Sequence, residues 1–163
     1  MTITSTVVKV GIADMKVTEA PNKLKTLGLG SCVGVVIYNH EIAGLAHVML
    51  PDSEASNREN QNILKYADSA LDQMIRELLD KGVRKSSLKA KIAGGAHMFS
   101  FQTESNFLKI GERNIIAVTE RLQLHQIPLI AQDVGGNQGR TIEFNIEESQ
   151  LEIRTVRGNT TII

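Results

Sequence analysis

The sequence predicts an α/β fold: a single-domain α/β sandwich in which two main helices pack against a mixed β-sheet or against two sheets. Short runs rich in β-branched and aliphatic residues recur along the chain, and two longer stretches carry apolar residues at helical spacing. With 42% hydrophobic residues among 163, the chain can bury a sizeable core. No repeat, low-complexity tract or linker divides it, so we expect one domain spanning residues 1–163.

Charge and cysteine content narrow the class of protein. The 18 basic and 18 acidic residues cancel and are spread along the chain, which gives no electrostatic case for nucleic acid or an anionic membrane surface. One cysteine cannot form an internal disulfide, and the N-terminal residues lack the basic start and apolar run of a signal peptide. No segment approaches the roughly 18 consecutive apolar residues that a membrane span needs. We therefore expect a cytoplasmic protein.

The elements of the first third of the chain are all strands. Residues 7–10 and 15–17 predict a strand interrupted at Gly11. Residues 33–38 and 43–50 are two apolar runs separated by a short polar segment, a pattern typical of a β-hairpin with well-covered strands.

The rest of the chain alternates helices and strands. After a polar run at residues 52–60, which we expect to be an exposed loop, apolar residues at helical spacing predict a helix from Ile63 to Leu79 that stops at Gly82. A second helix is predicted at residues 111–124. Further strands, the first of them half-buried and the last two forming a hairpin, are predicted at residues 88–92, 129–131, 141–146 and 151–156. The total is seven or eight strands.

The register of the first hairpin decides which side chains meet. A turn centred between Asn39 and His40 places Cys32, the only cysteine, directly opposite His47. Directly opposed residues share a face, with Cβ atoms about 4.5 to 5.5 Å apart. A shift of one residue would instead put the two side chains on opposite faces.

Cys32 admits two interpretations. Free cysteine is among the most buried residue types, so a small core side chain is the simpler one. The alternative interpretation is a catalytic nucleophile, because Gly28, Gly30 and Gly34 lie close to Cys32 on both sides in the sequence. The backbone amides near Gly30 and Ser31 could bind the oxyanion that forms when a thiolate attacks a carbonyl, and Gly34 would leave room for a substrate side chain.

His47 would serve as the general base for such a nucleophile. Placed opposite Cys32, its imidazole would lower the pKa of the thiol and later protonate a leaving amine. A base needs a third group to orient it, and the Thr26 hydroxyl or a backbone carbonyl could accept from the other ring nitrogen.

Competing motifs are weaker. The segment GLGSCVG at residues 28–34 misses the third glycine of a dinucleotide loop by one place and leads into a strand. Metal-ligand spacings such as Cys-x-x-Cys are absent, and three of the four histidines are expected in turns, loops or helix ends, at His40, His97 and His125. The glycine pairs at residues 94–95 and 135–136 predict tight turns that could rim a cleft.

Five segments together resemble one family. TLGLGSC at residues 26–32, AHVMLP at 46–51, KIAGGAHMF at 91–99, IGERN at 110–114 and DVGGNQGR at 133–140 are similar, in this order, to the CheD chemoreceptor glutamine deamidase family. The resemblance covers roughly residues 24–145. Several motifs in the right order make it far more specific than any one of them.

The resemblance implies a single deamidase domain whose fold is similar to the catalytic domains of deamidating bacterial toxins. It implies a catalytic triad of Cys32, His47 and Thr26. We expect no metal or organic cofactor, because both steps of such a deamidation are acyl transfer. It also implies methyl-accepting chemoreceptors as substrates and the CheC phosphatase as a regulatory partner. The alternatives are a non-enzymatic module that binds receptor or phosphatase, and a cysteine hydrolase or transglutaminase acting on a different amide.

Overall fold

A computed structural model describes residues 4–55, 62–98 and 109–163. These residues form two five-stranded sheets and two α-helices. The strands are β1 Val7–Val10, β2 Met15–Glu19, β3 Lys23–Leu29, β4 Val33–Tyr38, β5 Ile42–Val48, β6 Lys89–Gly94, β7 Leu129–Val134, β8 Arg140–Asn145, β9 Gln150–Thr155 and β10 Thr160–Ile162. Sheet 1 has the order β1-β3-β8-β9-β10, with β1 parallel to β3. Sheet 2 has the order β2-β5-β4-β6-β7, with β7 parallel to β6.

Sheet 2 lies between sheet 1 and the helices. Alternate residues of β4 point to two different cores: Val35 packs with the helices, whereas Val36 packs with the inner face of sheet 1. Every residue of β4 and of β5 is buried, which explains why their sequences are continuous apolar runs instead of alternating ones. The predicted α/β class, with two main helices and mixed sheets, is confirmed.

The two helices cover the outer face of sheet 2. Helix α1 is Ala67–Asp80 and α2 is Ile110–Leu124. The predicted start of α1 was wrong: Ile63–Lys65 is a separate 3-10 helix and Tyr66 is extended, so the α-helix begins at Ala67. Within the described residues, neither helix is long and apolar enough to cross a membrane.

Three strand predictions need correction. Residues 7–10 and 15–17 do not form one interrupted strand, since β1 belongs to sheet 1 and β2 to sheet 2. The strand β3 was not predicted because its polar, lysine-bearing start does not alternate clearly, and the short edge strand β10 carries no pattern. The described residues therefore form ten strands instead of seven or eight.

Strand β6 is buried more fully than its alternating lysines suggested. Lys91 is only 7% exposed, because its ammonium group reaches between the sheets and donates to the carbonyls of Ser149 and Ile163 at 2.6 and 2.9 Å. Of the predicted loop at residues 52–60, Ser53–Ala55 forms a 3-10 helix and residues 56–61 lie outside the described residues.

Candidate active site

Cys32 lies where the chain crosses from sheet 1 to sheet 2. It follows the end of β3 and directly precedes β4, and its side chain is partly buried against the core between the sheets. The β3–β8 ladder is irregular between Thr26 and Leu29, and Gly28 there has φ +72°, which a glycine adopts without strain. The irregularity lies within β3, whose last residue, Leu29, still pairs with Arg140, three residues before Cys32.

His47 lies on β5 in sheet 2, and its pairing differs from the predicted one. Its partner on β4 is Gly34, and the last pair of the ladder is Val33 with Val48, so Cys32 does not lie directly opposite His47. The predicted register was wrong by two residues. A shift of two preserves the face, and both Cys32 and His47 are directed toward sheet 1. The cysteine is therefore the diagonal neighbour of the histidine.

The Asn39 side chain explains the shift in register. Its Oδ1 accepts from the backbone N–H groups of Glu41 and Ile42 at 2.8 and 2.9 Å, and the Asn39 N–H donates to the Ile42 carbonyl at 3.0 Å. The loop thus closes around His40 and Glu41, one residue later than predicted. Moving the centre of a hairpin by one residue moves every cross-strand partner by two.

Thr26 and His47 meet across the two sheets. The Thr26 hydroxyl donates to the Val10 carbonyl at 2.8 Å and lies 2.7 Å from His47 Nδ1. Because the hydroxyl has a single hydrogen, which Val10 receives, it accepts from Nδ1–H. His47 therefore carries its proton on Nδ1 and has a lone pair on Nε2.

The free ring nitrogen of His47 is the unusual feature of the site. His47 is fully buried, and its Nε2 has no hydrogen-bond partner among the described residues. Burial also lowers the pKa of His47, which keeps the imidazole neutral. An unpaired, neutral, buried nitrogen with an available lone pair can act as a proton acceptor, and in this structure the Cys32 thiol is not hydrogen-bonded to it.

The thiol itself is not activated in the way that the sequence suggested. Burial raises the pKa of Cys32, and a hydrogen bond from its own backbone N–H offsets this only in part. The pKa of the thiol is therefore raised, which is opposite to the lowering by His47 that the sequence predicted. The resting site contains a neutral thiol and a neutral imidazole, which suits proton transfer during attack better than a standing ion pair.

Gly34 has a different role from the one predicted. A Cβ atom at this position would lie 2.6 Å from Ile142 Cδ1 and 3.1 Å from Leu29 Cδ1, so core side chains fill the space proposed for substrate. The glycine instead lets sheet 1 approach sheet 2 opposite His47.

Residues from two distant segments, 94–96 and α2, hold the loop at residues 30–32, here called the Cys32 loop. The Gly30 carbonyl accepts from Ala96 N–H at 2.9 Å, and the Cys32 carbonyl accepts from Gly95 N–H at 2.8 Å. Gly94 has φ +115°, and a Cβ there would lie 2.3 Å from the Cys32 oxygen. The carbonyl between these two, that of Ser31, accepts from the Asn114 side chain at 3.0 Å.

The glycine turns at residues 94–95 and 135–136 lie together, as the predicted cleft rim requires. Gly135 N–H donates to the Gly94 carbonyl at 2.9 Å, and the buried Arg140 side chain donates to the Gly135 carbonyl at 2.9 Å. Both turns line a cavity of about 250 Å³ beside the start of α2. Thr26, Cys32 and His47 line neither this cavity nor a larger groove of about 600 Å³ along α2.

The other histidines do not converge on Cys32. His40 is exposed in the hairpin turn, as predicted, and His97 is exposed beyond β6. His125 ends α2 and contacts Asp72 at 2.7 Å. In the described part of the chain, no group of three or more histidine, cysteine or acidic side chains is arranged to hold a metal ion.

The fold and the site define a two-sheet α/β protein with a histidine–threonine contact between its sheets and a cysteine diagonal to the histidine. A family profile described as "CheD chemotactic sensory transduction" matches residues 49–155. The chain belongs to the CheD family. The profile match begins after His47 and so does not include the candidate triad.

Full-length relatives extend the similarity over nearly the whole chain. A "Chemoreceptor glutamine deamidase CheD" of Bacillus velezensis is 54% identical over 96% of this chain and 96% of its own length. Proteins with the same name from Bacillus subtilis and Bacillus licheniformis are 50% and 48% identical, covering 99% and 98% of this chain and 99% and 96% of their own lengths.

Among solved structures, the crystal structure of Bacillus licheniformis hypothetical protein YfiH is a distant match. Its TM-score is 0.41 at 16% identity, covering 74% of this chain and 49% of that chain. A similarity this low supports no argument about function.

Proposed function

We propose that the protein is a chemoreceptor glutamine deamidase that uses Cys32 as its nucleophile. It would convert glutamine side chains of methyl-accepting chemoreceptors to glutamate with release of ammonia. The observation that carries the proposal is the state of His47: its Nδ1–H is bound by Thr26, while its buried Nε2 is unpaired. The names of the full-length relatives supply the substrate class.

The first half of the reaction is acyl transfer to sulfur. As Cys32 Sγ bonds to the amide carbon of the glutamine, His47 Nε2 takes the thiol proton, so both groups start neutral. The amide oxygen becomes an oxyanion beside the backbone amides of Ser31 and Cys32, since the Gly30 N–H, also predicted to contribute, already donates to the Gly28 carbonyl at 3.1 Å. His47 then gives the proton to the departing nitrogen, the carbon–nitrogen bond breaks, and ammonia and a thioester on Cys32 remain.

The second half of the reaction releases glutamate. His47 Nε2 accepts a proton from water, whose oxygen bonds to the thioester carbon. The carbon–sulfur bond then breaks, and the proton returns to the sulfur. The carboxyl group so formed is a site for receptor methylation. Every step uses side chains and water, so the proposal requires no cofactor.

The experiment is intact-mass analysis of a chemoreceptor cytoplasmic fragment incubated with the purified chain. Each deamidation replaces NH2 by OH and raises the mass by about one dalton. We expect this increase with the wild type and with His40→Ala, a matched histidine variant in the exposed turn, and none with Cys32→Ala or His47→Ala. An unchanged fragment mass with the wild type would favour a binding module, and covalently joined molecules would favour a transglutaminase.

We further propose that the reaction takes place in the cytoplasm and that the CheC phosphatase is a regulatory partner. A lone free thiol persists in a reducing compartment, and the family resemblance supports the partner. A phosphatase that covers the Cys32 loop would compete with receptor. We expect saturating CheC to lower the deamidation rate of the receptor fragment, and an unchanged rate would rule out competition at this site.

A further inference from the structure

Asn114, on the first turns of α2, is a fully buried amide that reaches the Cys32 loop. Its Nδ2 donates to two backbone carbonyls, those of Ser31 and Met49, each at 3.0 Å. Since both partners are oxygens that only accept, the amide nitrogen must be the end that faces them. The orientation of the side chain is therefore fixed by its surroundings.

The two carbonyls lie where the β4–β5 ladder opens. The last pair of the ladder is Val33 with Val48, and beyond it the Met49 N–H donates to the Lys65 carbonyl at 2.8 Å instead of to the opposite strand. Asn114 occupies the fork between the diverging chains. One side chain thus binds the residue before the nucleophile and a residue two places after the base.

Contact with the Ser31 carbonyl also orients the next amide. In a trans peptide, the C=O of Ser31 and the N–H of Cys32 lie in one plane and point in opposite directions. When Asn114 binds that oxygen, the Cys32 N–H is turned away from α2. Because this N–H belongs to the same residue as the thiol, it lies close to the bond that attack would form.

The neighbouring peptides are held differently. Main-chain N–H groups of Ala96 and Gly95 bind the carbonyls of Gly30 and Cys32. For the Ser31–Cys32 peptide, the donor is a side chain, which a mutation can remove. Gly111 makes this arrangement possible, since a Cβ there would lie 2.5 Å from the Ala96 oxygen and would push α2 away.

We propose that Asn114 is a positioning residue that aims the Cys32 peptide N–H at the oxyanion formed during attack on the substrate amide. This inference rests on the proposed deamidase function. The other half of the Asn114 amide supports it: Oδ1 is buried without a partner among the described residues. An unpaired buried oxygen is unfavourable, so stability alone does not explain an amide at this position.

The test compares turnover with thiol reactivity in Asn114→Asp, which keeps the size of the side chain but removes both N–H donors. Deamidation passes through an oxyanion, whereas alkylation of Cys32 by iodoacetamide displaces iodide from a saturated carbon and does not. We expect kcat for the receptor fragment to fall roughly 10- to 100-fold, less than the ~10²–10³-fold that losing an oxyanion donor outright costs. KM and the alkylation rate should stay within about twofold of the wild type.

Two further variants keep the test decisive. Asn145→Asp makes the same chemical change at the end of β8, where Oδ1 accepts from Glu148 N–H and an aspartate can do the same, so its kcat should match the wild type. Asn114→Ala removes the donors without adding charge and serves if Asn114→Asp does not fold. Thermal melting checks that each variant is folded.

Each outcome has a distinct meaning. Wild-type kcat in a folded Asn114 variant would overturn the positioning role, as would parallel losses of turnover and alkylation, which indicate general damage to the site. A wild-type chain that never deamidates the fragment would instead defeat the proposed function itself.

Discussion

Thr26 Oγ1 lies 2.7 Å from His47 Nδ1, and this contact joins the two sheets at the candidate active site. Thr26 lies in sheet 1, and its hydroxyl donates its single hydrogen to the Val10 carbonyl. The hydroxyl can therefore only accept from His47, which fixes the imidazole tautomer with the proton on Nδ1. The base is oriented without a carboxylate. A neutral partner of this kind leaves the pKa of the histidine to be set mainly by burial, which lowers it.

Replacing the Thr26 hydroxyl should therefore impair the base without removing it. In Thr26→Val, the side chain keeps its shape, but His47 Nδ1–H and the Val10 carbonyl both lose their partner, at a cost of about 1–3 kcal/mol for each buried group left unpaired. We expect kcat for deamidation to fall while remaining above that of His47→Ala. Thr26→Ser should restore most of the rate, and equal rates for valine and serine would contradict an orienting role.

The pH dependence of Cys32 alkylation should report a thiol of raised pKa. We expect the iodoacetamide rate of the free protein to be slow near pH 7 and to rise with pH through a midpoint above the usual cysteine value of about 8.5, because the thiolate is the reactive form and burial disfavours it. His47→Ala should leave this midpoint high while abolishing deamidation. A rate already at its plateau near neutrality would indicate a thiolate–imidazolium pair instead.

Gly94→Ala should damage the Cys32 loop specifically. The added Cβ would lie 2.3 Å from the Cys32 oxygen, and the φ of +115° is strained for alanine, which together should cost at least about 1–3 kcal/mol of unfolding free energy and lower kcat. Gly158→Ala is a matched control, because Gly158 has φ +89° with nothing within 4 Å of an added Cβ. Similar kcat losses in both variants would mean that strain alone, not the contact with Cys32, is responsible.

The contact between the helices should make stability depend on Asp72. Arg121 Nε donates to Asp72 Oδ1 at 2.8 Å and His125 contacts the same oxygen, and the hydrogen bond from Arg121 is the main cause of the lowered Asp72 pKa. A depressed carboxyl pKa contributes stability above the unfolded value and loses it as the pH falls through the folded one. Asp72→Asn should destabilise by about 1 kcal/mol or less at pH 7, since the groups are partly exposed.

Denaturant unfolding of the two proteins at several pH values measures this effect. The difference in unfolding free energy between wild type and Asp72→Asn should shrink as Asp72 becomes protonated in acid. A difference that stays constant from neutral to acidic pH would show that the charge of Asp72 is not what stabilises the helix pair.

Local sequence patterns predicted the elements better than their partners. The helices and the first hairpin were predicted to within a few residues, because the pattern of apolar residues that marks a helix or a strand lies within one short segment of the sequence. The register of that hairpin was missed by two residues, since the Asn39 side chain selects the closing pair. Strand β3 was missed because its start is polar and one of its partners, β8, is more than 100 residues away, and β10 was missed because three exposed residues at a sheet edge carry no pattern.

In the candidate site, too, the sequence predicted residues better than the contacts between them. Cys32 and His47 stand out in one short segment, and Thr26 was named for its chemistry, although its contact with His47 depends on how two sheets pack. Asn114 and Gly94 contact the loop around Cys32 from 83 and about 62 residues away in the sequence. A local sequence pattern could not predict these contacts. The direction of the thiol pKa depends on burial, which spacing does not encode.

The most direct test of the central claim is deamidation of a chemoreceptor fragment in ¹⁸O-labelled water, followed by mass analysis of its peptides. Hydrolysis of a Cys32 thioester places one oxygen from water in each new carboxylate, so a converted glutamine should gain about three daltons in labelled water and about one in ordinary water. We predict this gain with the wild type and its complete loss in folded Cys32→Ala. Labelled glutamate formed at the wild-type rate by Cys32→Ala would contradict the account.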